Sequence, residues 1–209
     1  MKTQQKQPRP EGLLQNILTY LCFKCQTLSR TKLIKLVYLV EVYYYQLYSK
    51  RLTEIPFYHY YYGVWSPQVE RKVEELYGKG ILVEREVSTK KGFIAIIPKP
   101  NVKKTEVRLP KDVFEVLDMI VEDWGNALPD EVVEFTKTTL PFINTGFGEE
   151  IDFSRIDGIK EYAKEKGISE DEAATLDIIF NKKLKEKVLK GLKDIQGGKV
   201  FSYEEVFNM

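Results

Sequence analysis

The chain has 209 residues, of which 43% are hydrophobic and 30% are charged. A chain of this length and apolar content can bury a substantial core in one or two domains, which excludes disorder, a collagen-like repeat and a disulfide scaffold. The net charge is only +1, and the richest apolar stretch, residues 33–47, is interrupted by Lys35 and Glu41. The sequence therefore predicts no membrane span.

The N-terminal segment, residues 1–10, is polar throughout. A secretory signal peptide has an apolar core of roughly 7–15 residues, which this segment lacks. We therefore expect a cytoplasmic protein that does not associate with a membrane.

The first third of the chain predicts three helices. Leucine and isoleucine recur at helical spacing over residues 11–26, which predicts an amphipathic helix. Residues 31–48 are apolar on nearly every side, as in a buried central helix. Ser66 can cap the first amides of a third helix and Pro67 fits its first turn, whereas the glycines of residues 78–80 end it.

Extended structure is predicted on both sides of the third helix. The aromatic residues 57–62 fit a short strand or an extended loop, in which residues 58, 60 and 62 face one side and residues 57, 59 and 61 the other. One of these sets should lie in the core and the other should be exposed. Residues 81–98 predict a β-hairpin, and the prolines and lysines of residues 98–109 predict a connector.

The rest of the chain is predicted to be helical. A helix is expected from about residue 110 to 124 and a shorter one after Pro129, followed by a glycine loop. The fold class is thus mainly α (α+β), a compact helical domain over residues 1–157 with a long buried central helix and a small β-hairpin. Residues 158–209 have helical periodicity and predict a C-terminal extension, for which partner binding and packing back onto the domain are both open.

Residue types that carry catalytic chemistry are scarce. The chain has one histidine, His59, and two cysteines, Cys22 and Cys25, which are too few for a metal cluster of the zinc-finger type. Because the cysteines lie late in a predicted apolar helix, we expect two buried thiols. The glycine-containing loops lack a phosphate-binding fingerprint. The sequence therefore predicts no catalytic residue, no metal and no cofactor, and hence a protein that is not an enzyme.

The net charge conceals a separation along the chain. Residues 1–110 hold 19 basic and 9 acidic residues, residues 111–157 hold 3 and 12, and residues 158–209 hold 10 and 10. Three explanations are open: a nucleic-acid face on the basic part, a basic protein partner for the acidic part, or two halves that pack on each other.

A winged-helix regulator that binds DNA is an alternative for the first half. The third helix would read the DNA, and Lys90 and Lys91 would lie at the tip of the hairpin. However, Glu70, Glu74 and Glu75 of that helix would repel phosphates along much of its exposed face.

A series of short motifs resembles the Panacea domain family, also called SocA-like. These motifs are "TKLIKLVYLVE" at 31–41, "SKRLT" at 49–53 and "YYGVWS" at 61–66. The segments "DEVVEFTK" and "LPF" of the second half are similar too, so that the resemblance covers roughly residues 13–156. Val64 stands where the family usually has proline, and Lys137 where it often has histidine.

This resemblance implies an antitoxin. Panacea domains are found mainly in antitoxins paired with diverse toxins, and the related SocA acts as an adaptor that hands its toxin to a protease. Neither role needs an active site. We therefore predict a protein that binds and neutralises a cognate toxin, encoded next to it, while the formation of a homodimer and DNA binding stay open.

Two groups of residues are candidate contacts for the partner. The first is aromatic, since tyrosine and tryptophan are favoured in protein interfaces, and comprises Tyr58, Tyr60, Tyr62 and Trp65. The second is acidic, suited to steering a basic partner, and comprises Asp130, Glu131 and Glu134. A stacking platform for single-stranded nucleic acid is the alternative for the aromatic group.

Overall fold

The computed structural model describes residues 12–26, 28–88 and 94–154, which belong to one compact unit ending at Ile156. Its α-helices are α1 (Leu13–Lys24), α2 (Arg30–Tyr48), α3 (Pro67–Gly78), α4 (Lys111–Trp124), α5 (Pro129–Lys137) and α6 (Leu140–Ile143). Two antiparallel hairpins are formed by β1 (Tyr58–Tyr60) with β2 (Gly63–Trp65) and by β3 (Leu82–Ser88) with β4 (Ile94–Pro100). This mainly α fold with a small β component confirms the predicted class.

Two predictions fall beyond these residues. The C-terminal extension, residues 158–209, lies outside the described part of the chain, and the domain boundary after residue 157 stays a prediction.

Among the helices that the structure describes, none is both long enough and apolar enough to span a membrane.

Helix α2 is the centre of the core, as its all-round apolar sequence predicts. Side chains on every side of the helix are buried between Lys32 and Val42. The helices α1, α4 and α5 and the strand β2 all pack against it. The Ser29 side chain accepts a hydrogen bond from the Lys32 amide at 3.0 Å and so caps the first turn.

Two buried lysines of α2 bind backbone carbonyls of neighbouring segments. The Lys32 Nζ atom donates to the carbonyl oxygens of Gly125 at 3.1 Å and Ala127 at 2.6 Å, just beyond the end of α4. The Lys35 Nζ atom donates to the Val64 oxygen of β2 at 2.6 Å. These charged residues therefore fix the positions of two segments on the central helix.

A buried carboxylate of α2 holds the turn that follows the helix. The Glu41 carboxylate accepts hydrogen bonds from the Arg51 Nε atom at 3.1 Å, from the amides of Leu52 at 3.1 Å and Thr53 at 2.9 Å, and from the Thr53 hydroxyl. Arg51 also donates to the Ile55 carbonyl at 2.5 Å. The motif at residues 49–53 is thus organised around one side chain.

The predicted hairpin over residues 81–98 is confirmed, but the connector after it begins later than predicted because β4 continues to Pro100. The Asn101 amide donates to the Ile81 oxygen at 2.8 Å. Since alternate amides of a strand point to the same side, Pro98 and Pro100 occupy positions whose amides would face away from β3. Neither proline therefore removes a hydrogen bond between the two strands.

Tyrosine hydroxyls join α1 and α2 to the acidic helix α4. The pairs are Tyr20 with Asp118, Tyr43 with Asp123 at 3.0 Å, Tyr44 with Asp112 at 2.6 Å, and Tyr48 with Glu115 at 3.4 Å. Burial, with the neighbouring carboxylates, raises the pKa of Tyr20 and Tyr43 and keeps these donors protonated. The acidic side chains of α4 are thus bound by neutral tyrosine hydroxyls of the first half, with Lys24 and Asp118 as an additional ion pair at 4.0 Å.

Both cysteines are buried free thiols, as predicted. Cys22 lies within α1, and Cys25 immediately follows the last residue of that helix. Burial, together with the nearby Cys25, raises the pKa of Cys22 to about 12, so that this thiol stays protonated at neutral pH.

Candidate protein-binding surface

The aromatic segment predicted to be extended forms the first hairpin. Tyr58 pairs with Trp65 and Tyr60 with Gly63, so that residues 61 and 62 make the turn. Gly63 has a φ of +81°, which glycine adopts without the steric cost of a side chain. The predicted alternation of buried and exposed faces over residues 57–62 is therefore wrong, because Tyr58 and His59 are both half-buried and residues 60–62 are all exposed.

Strand β1 is paired along its second edge with a segment near the end of the described chain. The His59 amide donates to the Glu149 oxygen at 3.1 Å, the Gly148 amide to the His59 oxygen at 2.8 Å, and the Ile151 amide to the Phe57 oxygen at 2.7 Å. We call residues 147–153 the strap. The pairing places β1 between β2 and the strap, and brings Phe147 to the hairpin.

The far end of the strap enters the core. The Phe153 side chain is buried, with its ring centre 5.5 Å from that of Tyr38 and 6.0 Å from that of Phe57. The Arg51 guanidinium lies 4.0 Å from the centre of the same ring. The strap is thus anchored by packing at one end and by strand pairing in its middle.

Four aromatic side chains, those of Tyr60, Tyr61, Trp65 and Phe147, meet where the strap reaches the first hairpin, and the exposed Tyr62 is the next residue of the turn. We call Tyr60, Tyr61, Tyr62, Trp65 and Phe147 the aromatic cluster. Tyr60 stacks between Trp65, at 5.3 Å and 30°, and Phe147, at 5.8 Å and 11°. The Tyr61 ring meets Phe147 edge-on at 4.8 Å.

The aromatic cluster faces solvent to an extent unusual for large rings. Tyr60 is 43% exposed, Phe147 56%, Tyr61 72% and Tyr62 79%. A contiguous exposed aromatic surface of this kind marks an interaction site more often than an isolated exposed ring does.

The four aromatic residues predicted as partner contacts do not all lie at the surface. Tyr60 and Tyr62 are exposed, whereas Trp65 is half-buried, as is Tyr58, whose ring centre lies 6.4 Å from that of Trp65. Tyr61 and Phe147, which were not among the predicted contacts, also belong to the aromatic cluster. The one local signal for Phe147 was an aromatic residue between two loop glycines, Gly146 and Gly148.

Two carboxylates accept hydrogen bonds from the cluster or from the loop that precedes Phe147. The Trp65 Nε1 atom donates to the Glu70 Oε2 atom at 3.1 Å. Beside Phe147, the Gly146 amide donates to the Glu149 Oε2 atom at 3.0 Å. Glu70 is therefore held at the Trp65 ring, and Glu149 at the backbone of the residue before Phe147.

The predicted acidic contacts lie on the outside of α5, where Asp130, Glu131 and Glu134 are all exposed. Two of them already bind groups of the protein. The Glu131 Oε2 atom accepts from the Leu128 amide at 2.6 Å and caps the helix, and the Glu134 Oε1 atom accepts from the Lys137 Nζ atom at 2.7 Å.

The acidic and aromatic groups lie on neighbouring elements, because α5 packs against β2. The Lys137 side chain passes over the first residue of that strand, so that a Cβ atom at Gly63 would lie 3.4 Å from the Lys137 Cγ atom. The first hairpin thus lies at the last turn of α5, whereas Asp130 and Glu131 lie in the first turn of that helix.

The single histidine of the chain contacts a backbone oxygen and an aromatic ring of the fold. The His59 Nδ1 atom lies 2.8 Å from the Thr145 oxygen, and the ring centre is 4.0 Å from that of Phe142. Over residues 12–26, 28–88 and 94–154, no group of three or more histidine, cysteine, aspartate or glutamate residues is arranged to hold a metal ion.

On the helix that would read DNA in a winged-helix protein, Lys72 is paired with a carboxylate, as is Lys79 just beyond its end, and Arg71 donates to the Pro67 carbonyl. Glu75 lies 2.5 Å from both Lys72 and Lys79, and these lysines lower its pKa to about 2. Arg30 of α2 pairs with Glu74 of α3. This face adds no support for DNA binding, and the tip of the predicted wing lies outside the described residues.

Comparison with protein families identifies the chain. The model of the antitoxin SocA-like Panacea domain matches residues 33–141, from the first turn of α2 into α6. The searches of curated proteins and of solved structures returned no match. Because the matched range includes the core helix, the first hairpin and α5, and covers more than half of the 209 residues, the chain belongs to the SocA-like Panacea family of antitoxin domains.

Proposed function

We propose that this protein is an antitoxin that neutralises a cognate toxin by binding it stoichiometrically, without catalysing a reaction. The family supports the general role, and the toxin is expected to be encoded by an adjacent gene. The observation that carries the proposal is the exposed aromatic cluster, which is set into the part of the fold that the family model matches, apart from Phe147.

The framework beneath the cluster supports its use as a binding surface. Strand β1 is hydrogen-bonded on both edges, and β2 is fixed to the central helix by the bond from Lys35 to Val64. Because the rings are already positioned, less conformational entropy is lost when a partner binds them. Tyr60, Tyr61, Tyr62 and Phe147 would contact the toxin, while Tyr58 and Trp65 would hold the contact residues in place.

The acidic residues of α5 would add electrostatic steering. Asp130, Glu131 and Glu134 are exposed on the element next to β2, and residues 111–157 carry 12 acidic against 3 basic residues. A basic toxin would be drawn to this side of the molecule, at a rate that falls as salt is added.

A non-catalytic role agrees with the engagement of the reactive side chains. Lys32 and Lys35 bind carbonyl oxygens, Glu41 binds the turn after α2, and His59 binds Thr145. These buried or half-buried groups stabilise the fold, which is the role expected of them in a protein that acts by binding.

Co-expression with the product of the adjacent gene tests the proposal. We expect growth to be rescued when the antitoxin reaches at least the concentration of the toxin, and a complex of fixed stoichiometry to be purified. The double variant Tyr60→Ala, Tyr62→Ala should lose rescue and complex formation. Ile96→Ala, which truncates an exposed apolar side chain of the other hairpin, is the matched control and should rescue. Full toxicity with soluble, folded wild-type protein would refute the proposal.

A further inference from the structure

We propose that the outer edge of β3 binds an extended segment of the toxin as an additional antiparallel strand. This inference rests on the proposed function, since it specifies a second contact with the partner and the chemistry that would recognise it. The contact uses backbone groups and is separate from the aromatic cluster. Strands β3 and β4 form a sheet of two strands, so that each strand has one edge that the other does not cover.

The register identifies the free backbone groups of β3. The Asn101 amide donates to the Ile81 oxygen, and residues 83, 85 and 87 face residues 99, 97 and 95 in the same register. In an antiparallel pair, every second residue exchanges hydrogen bonds with its partner, and the residues between them point away. The backbone amide and carbonyl groups of Glu84 and Glu86 therefore point away from β4. Among the described residues, these groups have no hydrogen-bond partner.

The two edges of this hairpin differ in what they can bind. On β4, two of the outward positions are Pro98, which is buried, and Pro100, and neither can donate a hydrogen bond. Helix α1 also packs against β4. On β3, residues 84–87 are all exposed. The edge of β3 is therefore the one that offers an uninterrupted row of donors and acceptors to a further strand.

The side chains of this edge select the partner strand. Two copies of β3 paired antiparallel about Arg85 would place Arg85 opposite Arg85 and Glu84 opposite Glu86, and like charges directly opposite are destabilising. Glu84 binds Arg30 at 3.0 Å, whereas Arg85 and Glu86 are exposed and have no ion pair among the described residues. A strand with a basic residue opposite Glu86 and an acidic residue opposite Arg85 would supply both missing charges. The charges therefore favour a segment of the toxin over a second copy of this chain.

Peptide titrations followed by NMR test this inference with the full chain labelled with ¹⁵N. The probe is acetyl-Val-Lys-Glu-Thr-Val-amide, in which lysine would lie opposite Glu86, glutamate opposite Arg85 and threonine opposite Glu84. We expect this peptide to shift the amide signals of Glu84 and Glu86. The peptide with lysine and glutamate exchanged has the same composition and should bind about threefold more weakly, because like charges then face each other.

Two N-methylated peptides separate strand pairing from general attraction. The lysine amide of the probe would face β3, whereas its glutamate amide would point away from β3. N-methylation of the lysine should therefore weaken binding about tenfold, and N-methylation of the glutamate should leave the affinity within about twofold of that of the probe. Both measurements use the wild-type chain, so they do not depend on the folding of a variant.

Matched substitutions at Glu86 test the same contact in the complex with the product of the adjacent gene. Glu86→Pro removes the outward amide, at a position of the same kind as that of Pro98 on β4, so that the hairpin should still fold. Glu86→Thr removes the charge but keeps the amide. We expect Glu86→Pro to weaken toxin binding about tenfold and Glu86→Thr about twofold. Slow hydrogen exchange of the Arg85 amide, which faces β4, verifies that the hairpin is intact in both variants. The control substitution at Ile96 changes a side chain of β4 and leaves this backbone edge intact.

Hydrogen exchange of the wild type supplies a direct readout of the pairing. The Glu84 and Glu86 amides should exchange rapidly in the free protein and about tenfold more slowly in the toxin complex. The inference would be overturned by unchanged exchange in the complex, by the absence of peptide-induced shifts, by equal affinities of the two methylated peptides, or by equal toxin binding of Glu86→Pro and Glu86→Thr. Protection that appears as the antitoxin alone is concentrated would also overturn it, because a second copy would then occupy the edge.

Failure of this inference and failure of the proposed function are distinguishable. A folded Glu86→Pro variant that neutralises the toxin with unchanged affinity would refute strand addition but leave the antitoxin function intact. Conversely, failure of the wild type to rescue growth would refute that function without changing the peptide result.

Discussion

The Nζ atom of Lys35 lies 2.6 Å from the carbonyl oxygen of Val64, and this buried bond joins the central helix to the strand that carries Trp65. Burial, reinforced by the positive charge of Lys137, lowers the pKa of Lys35 to about 8. The ammonium group therefore loses its proton in a range where lysines are ordinarily charged, and the stability of this connection depends on pH.

Replacing Lys35 with methionine should remove part of the pH dependence of folding. Because the pKa of Lys35 is lower in the folded than in the unfolded chain, the unfolded chain binds more protons between pH 8 and about 10.5. The contribution of Lys35 to the free energy of unfolding therefore increases as the pH rises through this range. We expect the difference between wild type and Lys35→Met to shift in favour of the wild type by about 2 kcal/mol from pH 8 to pH 10.

Urea unfolding of both proteins at several pH values measures this shift, and ionisation of the tyrosines cancels in the difference. Lys137→Met is a second probe, since removing its charge should raise the pKa of Lys35 and displace the effect to higher pH. Parallel stability curves for wild type and Lys35→Met would contradict the prediction.

Removing the carboxylate of Glu41 should be among the most destabilising single changes in the chain. Glu41→Ala would leave the Arg51 guanidinium and the amides of Leu52 and Thr53 without their acceptor. Loss of one partner of a buried, hydrogen-bonded ion pair costs about 3–5 kcal/mol. Urea unfolding at pH 7 checks the value, with the exposed Glu122→Ala, expected to be within about 0.5 kcal/mol of wild type, as the control. A small effect of Glu41→Ala would mean that water replaces the carboxylate.

Alanine substitutions at two glycines should separate backbone strain from effects on the binding surface. Gly63 and Gly80 have φ values of +81° and +66°, so that Gly63→Ala and Gly80→Ala should each cost about 1 kcal/mol. Only at Gly63 does the added methyl group meet a neighbour, the Lys137 side chain. We expect similar losses of stability in calorimetry, but weaker toxin binding for Gly63→Ala alone. Equal binding by both variants would argue against involvement of the first hairpin.

The acidic residues of α5 should be tested one at a time. Asp130→Lys should slow association with a basic toxin and leave stability within about 0.5 kcal/mol of wild type, because exposed charges contribute little to folding. Replacing Glu131 as well would remove the cap on the Leu128 amide and cost about 1 kcal/mol. Stopped-flow association at two salt concentrations measures the effect, with Lys50→Glu, at an exposed residue just beyond the end of α2, as a charge-changing control outside α5. An unchanged rate for Asp130→Lys would move the steering surface away from α5.

Much of the fold could be predicted because its signals are local. The periodicity of α2 and the pair Ser66 and Pro67 identify helix positions within a few residues, as the Ser66 hydroxyl accepting from the Val69 amide confirms. Non-local pairing was not accessible in this way. Tyr44 belongs to the apolar helix predicted over residues 31–48, and nothing in that pattern indicates that its hydroxyl binds Asp112, 68 residues away.

The candidate surface was predictable only in part, for the same reason. Tyr60 and Tyr62 belong to a visible aromatic run, but Phe147 reaches them through hydrogen bonds between the strap and β1, which no local pattern encodes. Lys35 and Glu41 interrupt an apolar sequence, and their partners include backbone atoms, which have no residue identity to recognise. Buried charges that bind the backbone are therefore hard to distinguish from surface charges in sequence alone.

The strap couples the aromatic cluster to the interior of the protein. Phe147 lies in the exposed cluster and Phe153 lies against Tyr38, so that opening the strap must disturb both. A partner that holds Phe147 adds its binding energy to the closed form and suppresses local opening. Amide protons of Gly148 and Ile151, which bind β1, should then exchange with solvent more slowly in the complex. A bound toxin would in this way protect the antitoxin from proteases that attack the opened segment.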